Sequence, residues 1–94
     1  MKMKKYLPLG SVVLLKGAEK RLMIAGRLQR KEGEEQIYDY CGYIFPEGML
    51  SPKEMYLFNN EDIEEVHFIA AQDMDEMKMQ QFLMMKAAEI MGEK

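Results

Sequence analysis

The side chains able to attack, ligate or move protons are few. There is one histidine, His67, one cysteine, Cys41, and two serines, Ser11 and Ser51. A nucleophilic hydrolase holds a Ser or Cys beside a base, so Cys41 with His67 is the thiol dyad to weigh. Alternation puts His67 on the opposite face from Val66 and Phe68, outward, which disfavours that pairing. Zinc takes three or four His/Cys ligands, more than the chain contains. The neighbouring carboxylates Glu34/Glu35, Glu61/Asp62, Glu64/Glu65 and Asp73/Asp75 fall in loops and first turns. There they are solvated or capping, whereas a catalytic pair needs burial to separate its pKa values. No glycine-rich phosphate loop precedes a helix. No catalytic residue, metal site or cofactor is expected, and no enzyme.

Methionine and tyrosine are the more unusual signal. Six of the eleven methionines fall after residue 73: Met74, Met77, Met79, Met84, Met85 and Met91. Such side chains either fill gaps in a core or form an adaptable binding surface, and both readings stand. On a helix, Met79, Phe82, Leu83, Ala87 and Ile90 form one apolar stripe, and Met77, Met84, Ala88 and Met91 a second flank. A partner would use Met77, Met84, Met85 and Met91, or the aromatic strand surface of Tyr38, Tyr40 and Tyr43.

The elements that must position these residues follow from periodicity and punctuation. Residues 11–16 and 21–28 alternate about a Gly17 turn and predict a hairpin. On the second run Leu22, Ile24, Gly26 and Leu28 share a face. A charged loop around Gly33 leads to a third strand over 36–45. Both its faces carry apolar or aromatic groups, so it is central, and Gly42 marks a bend or bulge. A short strand over 55–58, a helical turn capped by an Asn of the 59–60 pair and a fifth strand over 66–70 complete the β part. From Asp73, with Glu76 three residues on, a capping pattern opens a helix to about residue 91. The expected fold is α+β: a curved antiparallel sheet of four to five short strands, an SH3-like half-barrel being one form of it, with one C-terminal helix. Residues 1–94 make a single domain, 1–70 mainly β and 73–91 helical.

Composition is ordinary for a globular chain, at 48% hydrophobic and 31% charged. No run approaches the ~20 apolar residues of a membrane span, and the N-terminal lysines are followed by no apolar stretch of a signal peptide. A lone cysteine fits a reducing compartment, so a cytoplasmic protein is expected. Cys41 is expected as a small buried strand residue. Net charge is −3, with nine Lys/Arg in residues 1–31 and nine Asp/Glu in residues 61–94. The basic hairpin and its tyrosines could engage nucleic acid, but the net charge and the acidic tail disfavour it.

Three stretches taken together resemble a known family: LPLGSVVLLKGAEKRLMIAGRLQ at 7–29, YDYCGYIFPEG at 38–48 and FNNEDIEEVHFIA at 58–70. They are similar to the bacterial family called domain of unknown function 4176, over about residues 6–82. The resemblance implies association rather than activity. Members are commonly encoded beside type VII secretion toxins of the LXG class and are thought to act as accessory, chaperone-like or targeting partners. It brings no catalytic residues. A non-catalytic accessory protein with a protein partner is therefore expected. A homo-oligomeric structural module and a nucleic-acid-binding β domain are the alternatives.

Overall fold

The first hairpin forms where alternation and a glycine coincide. A computed structural model describes residues 5–92, the side chain of residue 91 apart. It places β1 at Val12–Leu15 and β2 at Arg21–Arg30, paired antiparallel with Val13 opposite Leu22. Gly17 between them has φ +77, a left-handed conformation that a side chain would strain. β3 (Ile37–Phe45) runs back along β2 from Arg21 opposite Phe45 to Arg30 opposite Ile37. β4 (Tyr56–Phe58) pairs with β3, and β5 (Ile63–Phe68) with β1. The sheet order is β4-β3-β2-β1-β5, every pairing antiparallel, and β4 and β5 are its edges. One helix, α1 (Met74–Gly92), follows. The fold is α+β with an open five-stranded sheet. β3 lies in its interior, and β5 begins at Ile63, ahead of the expected start at residue 66.

Two departures from simple alternation shape the sheet. The β2–β3 register shifts between Ile24 and Gly26. Leu22 and Ile24 face the core, and the extra residue at 25 then turns Arg27 to that side in place of Gly26, while Leu28 still packs against the core. Leu28 follows the bulge with φ 52, a strained conformation for a side chain of its size. The expected irregularity at Gly42 is instead a close approach: a Cβ there would lie 2.6 Å from the Met23 carbonyl oxygen.

The core gathers on one face of the sheet. Val13, Leu22, Ile24, Tyr40 and Phe58 supply it from the strands, Tyr6 from the N-terminal segment and Leu83 from α1. Tyr6 meets Tyr40 edge-on at 6.0 Å between centroids, and Tyr40 stacks tilted on Phe58 at 5.4 Å. Asp73 caps the helix through the Glu76 N–H (2.9 Å), as its spacing predicts. The apolar stripe is corrected. Met79 and Phe82 are exposed, and the face turned to the sheet is Glu76, Gln80, Leu83, Ala87 and Ile90, with Met84 part-buried at its margin. That face is part polar because it meets Arg27, which the bulge has turned inward.

Candidate functional site

The most conspicuous polar cluster holds the fold together. The Asn59 N–H donates to Asp62 Oδ2 (2.8 Å), a capping box that shapes the turn between β4 and β5. That turn docks on β3 through the Asp39 N–H to Asn59 Oδ1 (2.9 Å) and the Asn60 N–H to Asp39 Oδ2 (2.8 Å). The Tyr40 hydroxyl accepts the Leu7 N–H (3.0 Å) and donates to Asn60 Oδ1 (2.5 Å). One phenol thus joins the N-terminal segment, β3 and the β4–β5 turn. Burial pushes the Tyr40 hydroxyl above its ordinary range, and burial aided by Asp39 and Tyr40 pushes Tyr6 up to about 12. Both phenols stay neutral, and that of Tyr40 serves as a hydrogen-bonding group.

A second cluster fastens α1. Arg27 grips Glu76 with both guanidinium arms, at 2.5 and 3.1 Å, and also donates to the Leu7 carbonyl. Both side chains are largely buried. The Arg27 hydrogen bonds hold the Glu76 carboxyl below the usual range, against the opposing effect of burial. Gln80 donates to Glu76 Oε2 (2.8 Å) and takes hold of the Tyr6 peptide at both ends. It accepts the Tyr6 N–H (3.0 Å) and donates to the Tyr6 carbonyl.

The groups that could do covalent chemistry lie apart. Cys41 on β3 and His67 on β5 are separated by β2 and β1. The Cys41 thiol is buried, which pushes its pKa up and away from thiolate reactivity. His67 is exposed, 3.0 Å from Glu65. Ser11 is buried and accepts the Ala70 N–H, and Ser51 accepts the Lys53 N–H. Among the described residues no group of three His, Cys, Asp or Glu is placed to hold a metal, and no helix is long and apolar enough to cross a membrane.

The residues expected to contact a partner divide. Met77 and Met85 on α1 are 56% and 62% exposed, and Met84 is half-buried. The side chain of Met91 lies outside the described residues. Tyr38 and Tyr43 are half-buried. Strand alternation puts them on opposite faces, so they form no common patch. Tyr40 is 0% exposed and offers no surface, which corrects its assignment to a binding face. Three exposed apolar α1 residues were absent from that set, Met74, Met79 and Phe82. Phe82 had been placed in the core stripe. The signal that could have moved it outward is Arg27, whose charge needs the Glu76–Gln80 side of the helix.

A family model described as Domain of unknown function (DUF4176) matches residues 6–79. No curated protein and no solved structure matches the chain. The match holds all five strands, the tyrosine–asparagine cluster, Arg27 and Glu76, and stops one residue short of Gln80. Over that span the chain belongs to the DUF4176 family.

Proposed function

We propose that this chain is a non-catalytic, cytoplasmic protein-binding accessory protein, a chaperone or targeting partner of a type VII-secreted toxin of the LXG class. One observation carries the reading. The sheet covers a single face of α1, and Met74, Met77, Phe82 and Met85 remain exposed around the rest of it. An apolar helix surface of this kind is the sort that partners cover. The toxin class comes from the family resemblance.

Several cations that would serve nucleic acid are engaged within the chain. Arg27 is buried against Glu76, Lys20 pairs with Glu47 at 2.7 Å, and Arg21 lies over the Phe45 ring at 5.0 Å. That weakens the nucleic-acid alternative. A homo-oligomer would use the same methionines, and light scattering across a concentration series separates it from a monomeric adaptor.

The decisive experiment is co-expression with an LXG toxin encoded beside the gene. Wild-type protein should retain the toxin on purification. Met77→Ser/Met85→Ser should fold normally, because neither side chain is buried, and lose it. Absence of retention by the wild type overturns the proposal.

A further inference from the structure

β5 is the longer of the two sheet edges, six residues against three in β4. Among the described residues it pairs only with β1, so its other side presents backbone N–H and C=O groups to solvent. Along and just beyond it Val66, Phe68 and Ile69 are 46%, 58% and 53% exposed.

Edges of this kind are normally guarded against self-pairing by charge and by bulges. β5 has both, with Glu64 and Glu65 in the strand, Glu61 just before it and two register shifts against β1. The charge is of one sign only. From Glu54 to Met77 there are eight Asp/Glu and no Lys or Arg. Asp62 is committed to the Asn59 cap, Glu65 lies beside His67 and Glu76 is held by Arg27. Glu61 and Glu64 form no ion pair among the described residues. A second β5 laid alongside would set acid against acid, which destabilises cross-strand pairs, whereas a cationic strand would gain from the same positions. The guard therefore discriminates by charge rather than closing the edge, and the exposed Val66 and Phe68 give an incoming strand apolar contacts.

We propose that the outer edge of β5 binds an extended, Lys/Arg-bearing segment of a partner protein as a sixth strand. Main-chain hydrogen bonds would supply affinity, Glu61, Glu64 and Glu65 would select the charge, and Val66 and Phe68 would receive apolar side chains. The inference rests on the protein-binding role and names the chemistry of the partner.

The test uses the full chain with three capped peptides: alternating Val-Lys, alternating Val-Glu, and Val-Lys N-methylated along one edge. The Val-Lys peptide should shift and protect the amides of residues 63–68, and the other two should not. Glu64→Lys/Glu65→Lys should weaken Val-Lys binding about tenfold and admit Val-Glu. No footprint, a footprint on α1, or equal binding by the double variant overturns the proposal. Toxin retention separates the two claims. Equal retention by wild type and double variant removes the β5 edge and leaves the accessory role standing. With no retention by the wild type the accessory role falls, and the peptide footprint still decides the edge.

Discussion

At the scale of single residues, the stretches that carry the family likeness are structural. Asp39, Tyr40, Asn59 and Asn60 hydrogen-bond to one another's backbone or side chains, and Tyr40 also holds the Leu7 N–H. Tyr40→Phe keeps the ring in the core but strands the Leu7 N–H and the Asn60 oxygen. Urea unfolding should show a loss of about 1–3 kcal/mol, the cost of an unmade buried hydrogen bond, with an unchanged m-value. The sequence made the capping chemistry and the buried cysteine legible. It did not show that Tyr40 is buried while Tyr38 and Tyr43 are only partly so. On a strand whose two faces are both apolar, alternation cannot tell which tyrosine lies beneath the helix.

At the scale of elements, the hairpin, the order of strands and the helix could be read from periodicity and glycines. The docking of the helix could not, because it depends on the bulge at residue 25. An extra residue leaves no compositional mark, yet it turns Arg27 inward and makes Glu76 and Gln80 the contact face of α1. The Arg27–Glu76 pair has a pH signature. The Glu76 carboxyl is held below its ordinary 4.5 in the folded protein. Its contribution is therefore present above that value and lost as pH falls through the lowered one. Wild-type stability should decline below about pH 4.5. Glu76→Gln should be less stable at neutral pH and show a shallower acid limb in thermal melts. Leu83 is the only α1 side chain in the buried core among the described residues. Leu83→Ala should cost about 2–5 kcal/mol. Hydrogen exchange should then speed along α1 well before the strands, since an undocked helix of this length is marginal in water.

For the whole molecule, the α+β class followed from the change of period near residue 73. The proposed partner surfaces were only half legible. Exposure of Met77 and Met85 was expected from the breadth of the helix's apolar positions. The β5 edge was not, because strand order is set by long-range pairing. The body is stabilised mainly by one sheet face and a helix that meets it along a narrow line. Its outer helix and open edge are thus available without unfolding the rest, which suits an adaptor better than an enclosed site would.

Gln80 has a mechanical consequence. Its amide stands in for a strand's peptide group at Tyr6 and closes a loop of chain 74 residues apart in sequence. Tension applied at the two ends of the chain meets this bond before it reaches the ladders, so the bond behaves as a fuse in series with a stronger spring. Optical-tweezer pulling should record a small early rupture that releases the leading segment and the helix, followed by a larger one as the sheet gives way. In Gln80→Ala the first event should fall in force, the remaining Arg27–Glu76, Tyr40–Leu7 and Leu83 contacts holding what is left, and the second should keep its force.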